Sequence, residues 1–373
     1  MEWIAKRSFG CIALIGCLIS HGLADAAGWP WQRPQQAWQQ QPQQQTWQQP
    51  QPETQQPWQQ QQQPGQQQGR AQQQQPLQQP GRAQLRMEEI QILLDRAGFS
   101  VGQIDGGGGA NTQKAIAAFQ QSQGLQASGE LDPASLGKLM EVTGGTPWIN
   151  YTITEEDTAG PFLQEYPATM EEKSKLPYLG YTSIYAKMGE KFHINSGLLR
   201  GYNSGVPFKA GQTIVAPNVI PMELSHTGKA VAGQAWSDYT IVASKNALTL
   251  ELFDSQNRIL FHAPVTIGGK NDPLPLGHWK VEGVDRNPVY HYNPKLFWDA
   301  KTSDSECMLP PGPNNPVGVV WININREHVG IHGTPSPGKI GYAVSHGCVR
   351  LTNWDALRLA ALVGNGTNVV FKE

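Results

Sequence analysis

Residues 28 to 84 of this 373-residue chain are almost entirely Gln and Pro, and this tract limits where a fold can begin. Units such as TWQQPQPETQQPWQQ have no apolar period, and Leu77 is the one aliphatic side chain worth burying. Such a segment cannot offset the entropy of ordering, so the sequence predicts a disordered, partly polyproline linker over 27–85. The tryptophans at 29, 31, 38, 47 and 58 suit either a plain tether or a binding tract. Ordered structure is expected only from about residue 86.

Ahead of the tract, Lys6 and Arg7 precede an apolar run from Phe9 to Ile19 and a small-x-small site at Ala24-Asp25-Ala26. That layout predicts a secretory signal peptide over 1–26 and places the protein in the periplasm or cell envelope. Leu14-Ile15-Gly16-Cys17 resembles a lipobox, so a membrane attachment is expected only if Cys17 is lipidated. With 28 basic and 30 acidic residues, the net charge of −2 supplies no field that would select nucleic acid. Cleavage after Ala26 leaves Cys307 and Cys348, too few for a disulfide scaffold. Oxidation of Cys307 onto Cys348 is one fate open to them.

Beyond residue 86 the pattern is helical. Met87, Ile90, Leu93, Leu94 and Ala97 recur at helical spacing up to Gly98. A second helix is expected from Asn111 or Thr112 through Phe119 to Gly124, and a third from the Asp132-Pro133 start through Leu136 and Leu139. The string GFSVGQIDGGGGANTQKAIAAFQQSQGL resembles the three-helix peptidoglycan-binding domain over 86–142, departing from it at Gly107 to Gly109. Over 175–219, two short helices carrying Ile184, Met188, Leu198 and Leu199 precede Gly211 and a β-branched run. This unit is similar to a LysM module with a weak first strand, and the likeness implies contact with glycan strands.

From Trp236 the period changes to two. YTIVASKNALTLELFDSQNRILFHAPVTIGG alternates apolar and polar residues between turns at Lys245-Asn246 and Asp254 to Asn257, the signature of an antiparallel sheet. Further strands are expected at 278–284, 317–324 and 369–371, and one helix from Trp354 to Val363. The fold class predicted is therefore multidomain α+β, with a β-sandwich-like C-terminal domain over 236–373.

The last loops read IHGTPSPGKIGYAVSHGCVRLTNWD. Cys348 can be a buried thiol, a metal ligand, half of a disulfide or a nucleophile. A thiol becomes a nucleophile when a histidine accepts its proton, and both His332 and His346 are candidates. Gly347 lets the chain turn so that a backbone amide can face a developing oxyanion. A zinc site built on His332, His346 and Cys348 lacks a convincing fourth ligand. His193, His226, His262, His278, His291 and His328 read as ordinary histidines.

The motif of a histidine followed by Ser-His-Gly-Cys-x-Arg closely resembles the YkuD-type L,D-transpeptidases, with LPLG at Leu274 to Gly277 standing where Thr-Pro-Thr-Gly is usual. The resemblance implies Cys348 as nucleophile and His332 as general base, with the Gly333 carbonyl holding the other ring nitrogen. It implies that His346, Ser345 and Gly347 shape the oxyanion and substrate pocket, and that Arg350 braces the loop or meets a substrate carboxylate. No metal, nucleotide or other cofactor is implied. Partners would be peptidoglycan stem peptides and glycan strands, and a wall-anchored protein as an alternative acceptor; water as acceptor would make the same site a carboxypeptidase. A non-catalytic wall-binding scaffold is the reading from another class.

Overall fold

The computed structural model describes residues 85–222, 235–343 and 345–373. The leader, Cys17, the Gln/Pro tract and His226 lie outside these residues. Helices α1 (Met87–Arg96), α2 (Ala110–Ser122) and α3 (Pro133–Thr143) come first, followed by strand β1 (Trp148–Thr152). The helices α4 (Glu155–Thr158), α5 (Met170–Ser174), α6 (Ile184–Lys191) and α7 (Ser196–Tyr202) lead to β2 (Thr213–Pro217). Then come β3 (Thr240–Ser244), β4 (Thr249–Phe253), β5 (Ile259–Pro264), β6 (Gly277–Arg286), β7 (Tyr290–Tyr292), β8 (Cys307–Leu309), β9 (Val320–Ile324), β10 (Gly330–His332) and β11 (Val349–Arg350). Helix α8 (Asn353–Leu362) and β12 (Asn368–Lys372) complete the chain.

Local chemistry sets most of these boundaries. The Asp132 carboxylate accepts from the Ser135 amide at 2.8 Å with Pro133 at the first helical position, so α3 starts where a cap and a missing N–H coincide. Helix α2 begins one residue before the expected start, at Ala110, with Gly109 as its cap. Asn111 is thereby free to reach the Ile340 carbonyl through its Nδ2, at 3.0 Å. Between residues 175 and 219 the two expected helices and the final strand are present, but the partner strand lies upstream. β1 pairs with β2 antiparallel, Trp148 opposite Pro217 and Thr152 opposite Thr213. Residues 154–182, including α4 and α5, separate β1 from the unit it completes.

The C-terminal domain is not a sandwich of two facing sheets. It holds one eight-stranded sheet in the order β11-β10-β9-β6-β12-β3-β4-β5. Its continuity comes from β6, whose Gly277–Lys280 half pairs with β12 and whose Val281–Arg286 half pairs with β9 across a bulge. The sheet curls until its two edges meet: beyond β5, Thr266 forms an antiparallel bridge with Arg350 of β11, and Gly268 bridges Ser345. Leu252, Phe261, Ile322, Val349, Leu357 and Phe371 fill one core inside that curl.

The accessory elements are packed into this domain and are not strung beside it. The Ser100 amide donates to the His262 carbonyl at 2.8 Å and the His262 amide to the Gly98 carbonyl at 3.1 Å, so Phe99 covers the edge of β5. One apolar core runs from Leu93 and Phe119 through Met188 and Leu199 to Ile259 on β5. At its centre the buried Asp95 carboxylate meets His193 Nδ1 at 3.0 Å and the Arg358 guanidinium at 3.1 Å. Burial opposes ionisation of Asp95, yet its two partners hold it down to about 2. Burial lowers His193 in turn, so a neutral imidazole donates Nδ1–H to a carboxylate whose counter-charge is Arg358.

Asp355, in the first turn of α8 beside Ser100 and Thr352, is pushed up to about 7 by burial and by the Asp95 charge. Its folded form therefore binds a proton more tightly than its unfolded form. Stability contributed by that group is full below about pH 4 and declines as pH rises towards 7, whereas the Asp95 contribution is lost only below about pH 4. Thermal melts from pH 4.5 to 8 are expected to fall by several degrees, and Asp355→Asn, which cannot ionise, to flatten the curve. A wild-type melting temperature that does not move across this range refutes the assignment.

Candidate active site

The site lies where the curled sheet closes. Arg350 exchanges both backbone hydrogen bonds with Thr266, donating at 2.8 Å and accepting at 3.0 Å. On its other flank β11 runs parallel to β10, with Val349 opposite Ile331 and Arg350 opposite His332. The Ser345–Cys348 turn is thus held from both sides. Within it the Ser345 hydroxyl donates to the Cys348 carbonyl at 2.6 Å, and Gly347 adopts φ +91°, where a side chain would be strained. Gly268 packs against the turn so closely that a Cβ there would lie 2.9 Å from the Gly347 Cα.

His332 ends β10 and is buried. Its ring stacks on Trp321 of β9, centroids 5.3 Å apart and planes 20° from parallel. Nδ1 lies 2.7 Å from the Gly333 carbonyl, and because a carbonyl only accepts, Nδ1 carries the proton. Burial first, and then the nearby Arg350 charge, lower this imidazole to about 3 against the pull of backbone carbonyls. It is neutral, with its basic lone pair on Nε2.

Cys348 stands one position before the residue paired with Ile331, which sets its sulfur beside the backbone of residues 328–330. Sγ is 3.8 Å from the His328 carbonyl. Burial pushes the thiol up, opposed by the Gly330 backbone and by Arg350, and the net shift is upward. Both shifts favour the neutral forms over a thiolate–imidazolium ion pair, the thiol being raised and the imidazole lowered.

Arg350 is lowered by burial and sits close enough to Cys348, Tyr290 and Asp299 to feel each of them. Its Nε is buried with no partner among the described residues. The His346 ring points the other way, into the arm formed by β7, β8 and their connecting loop. Its Nε2 meets Asp299 Oδ1 at 2.9 Å, and Phe297 approaches it edge-on at 5.0 Å. The Tyr290 phenol on that arm is raised to about 12, chiefly by burial and next by Cys348. Cys307, on β8, is not bonded to Cys348 and lies beside Ser174 and Glu171.

Three further residues shape the site without a motif to announce them. Gly330 has no side chain because the Trp321 indole lies there: a Cβ would fall 2.5 Å from its Cζ2. Asn353 inserts its side chain between Gly318 and Gly333, neither of which could carry a Cβ. Asp299 anchors His346 from forty-seven residues upstream. An aromatic on β9, a glycine under its ring, an asparagine wedged between two glycines and an acid in a proline-rich stretch follow no periodicity, so only the fold could bring them together.

Comparisons with known proteins agree with this architecture. The L,D-transpeptidase catalytic domain model matches residues 238–371, and the peptidoglycan binding domain model matches residues 84–139. The L,D-transpeptidase YkuD of Bacillus licheniformis is 31% identical over 169 residues, 45% of this chain and 79% of that protein. The protein of the same name from Bacillus subtilis is 33% identical over 35% of this chain and 64% of its own length. The L,D-transpeptidase YbiS of Escherichia coli is 33% identical over 35% of this chain and 44% of its own. The chain thus spans less than two thirds of the latter two relatives.

Two outcomes follow from this geometry. Alkylation of Cys348 by iodoacetamide, followed peptide by peptide by mass spectrometry, should accelerate only as pH passes the ordinary thiol value of about 8.5. A plateau already reached at pH 6 would mean a preformed ion pair. Gly330→Ala should displace Trp321 and cost about 1–3 kcal/mol in denaturant unfolding. An unchanged midpoint would show that the indole has room to move.

Proposed function

Because the chain belongs to the YkuD family of L,D-transpeptidases, we propose that it is an exported enzyme of the cell envelope that cross-links peptidoglycan stem peptides through a Cys348 thioester. The observation that carries this reading is the locked tautomer of His332, on the strand beside Cys348 and in register with Arg350. With Nδ1–H committed to Gly333, Nε2 is the nitrogen able to accept a proton.

In the first half-reaction Cys348 Sγ attacks the carbonyl between the third stem residue and the terminal D-alanine, and its proton passes to His332 Nε2. The carbonyl electron pair moves onto oxygen, where the amides of Gly347 and Cys348 receive it, with Ser345 holding the turn and His346 forming the wall. The C–N bond then breaks, the leaving amine takes the proton back from Nε2, and a thioester remains. In the second half an amine from a neighbouring stem attacks the thioester and gives a proton to Nε2. The thiolate leaves and is reprotonated. Arg350, a half-buried cation whose Nε has no partner among the described residues, is suited to a substrate carboxylate. No cofactor takes part.

The accessory parts fit the same substrate. Residues 86–142 would grip the wall polymer, and the helix pair α6–α7 with the β1–β2 ladder supports a LysM-like module that contacts glycan strands. The basic and apolar leader supports export, with a membrane anchor only if Cys17 is lipidated.

Intact mass after incubation with a carbapenem should show a one-to-one adduct, absent in Cys348→Ser; no adduct on the wild-type chain would refute the nucleophile. Mass spectrometry of muropeptides should then show cross-linked dimers. Tripeptides alone would identify a carboxypeptidase, and a stem peptide on a protein lysine would identify a protein acceptor.

A further inference from the structure

We propose that Glu190, on helix α6 outside the catalytic domain, is a positioning residue for the catalytic base, acting through Asn353 and Gly333. The inference deepens the enzymatic reading and rests on it. Glu190 is buried, and its Oε1 accepts from Asn353 Nδ2 at 2.7 Å. The same Nδ2 donates to the Pro313 carbonyl at 3.0 Å, and Asn353 Oδ1 accepts from the Val319 amide at 3.2 Å. That oxygen fills the gap between Gly318 and Gly333, so closely that a methyl on either glycine would collide with it. The Gly333 carbonyl in turn holds His332 Nδ1. Three contacts lead from an accessory helix to the nitrogen that fixes the tautomer of the base.

Helix capping does not account for Asn353. The cap of α8 is Thr352, whose hydroxyl accepts from the Asp355 amide at 3.2 Å, so the Asn353 amide is free to be directed elsewhere. It is directed between two loops, 317–320 and 333, that flank the end of β10. An apolar residue at 190 would fill the volume, but it would leave one Nδ2 proton of Asn353 unpaired in a dry site. The side chain would then turn to recover a partner, and the Gly333 peptide that rests on it would follow. Since a displacement of about 1 Å can cost about a hundredfold in rate, a loss at Glu190 should appear in catalysis and leave binding unaffected. The Tyr181 phenol also faces this carboxyl, from the segment leading into α6.

The test uses the full chain and the time course of carbapenem acylation at Cys348, resolved into a maximal rate and a half-saturating concentration. Glu190→Met keeps the volume and removes the acceptor; Glu190→Gln keeps an acceptor oxygen and removes the charge. The expected result is a maximal rate about tenfold or more lower in E190M, half-saturation within about twofold, and recovery to within about threefold of wild type in E190Q. Should E190M fail to fold by near-ultraviolet circular dichroism, Glu190→Asp, which withdraws the acceptor by one methylene, is read by the same criteria. E190M (or E190D) reacting at the wild-type rate overturns the inference alone, as does E190Q falling as far as E190M. A wild-type chain that forms no adduct overturns the enzymatic reading and this inference with it.

Discussion

The pairing of Thr266 with Arg350 is the contact on which the site depends. A sheet of eight strands has two edges with unsatisfied amides and carbonyls; here Thr266, in the segment that follows β5, satisfies the β11 edge, and the Gly98–Ser100 segment satisfies His262 on the β5 edge. Arg350 is hydrogen-bonded along its backbone on one side by Thr266 and flanked on the other by β10. The turn just before β11 has little freedom left. Ser345, His346, Gly347 and Cys348 form a turn clamped at both ends, and the sulfur is presented at a fixed height above the His328–Gly330 backbone. Without the closure the same motif would be a loop.

Burial then sets the chemistry. In a wet loop His332 would titrate near neutrality and Cys348 would be partly ionised. Enclosed among Trp321, Arg350 and the strands, the imidazole is held neutral at about 3 and the thiol is raised. Both shifts follow from one cause, since a charged form costs most in a dry site. Arg350 is the one permanent charge among them. It disfavours imidazolium and favours thiolate, so its two effects on a proton moving from Cys348 to His332 oppose each other.

The junction between the accessory and catalytic parts follows the same logic at larger scale. Asp95, His193, Arg358 and Asp355 come from α1, the α6–α7 turn and α8, and none is exposed enough to be solvated by water. A buried ion pair contributes little net stability compared with apolar residues, but losing either partner is costly. The arrangement therefore fixes the relative placement of the elements more than it strengthens them. It also places Glu190 and Asn111 against the segments that carry His332 and Cys348.

Much of this was legible in the chain itself. Helical spacing, the Asp132-Pro133 cap, the period-two run after Trp236 and the Ser-His-Gly-Cys-x-Arg motif are local patterns. They depend only on which side chains stand near one another along the backbone. The partner strand of β2, the single closed sheet in place of a sandwich, the seat of His346 on Asp299 and the insertion of Asn353 between two glycines are not local. Each joins residues tens to hundreds of positions apart, and the energy that selects them comes from burial and from the pairing of otherwise unsatisfied polar groups. Sequence determined the elements and which thiol stands in the Ser-His-Gly-Cys-x-Arg motif. Tertiary structure alone decided which nitrogen of His332 is basic, because a neighbouring carbonyl, brought there by the packing of other strands, chose the tautomer.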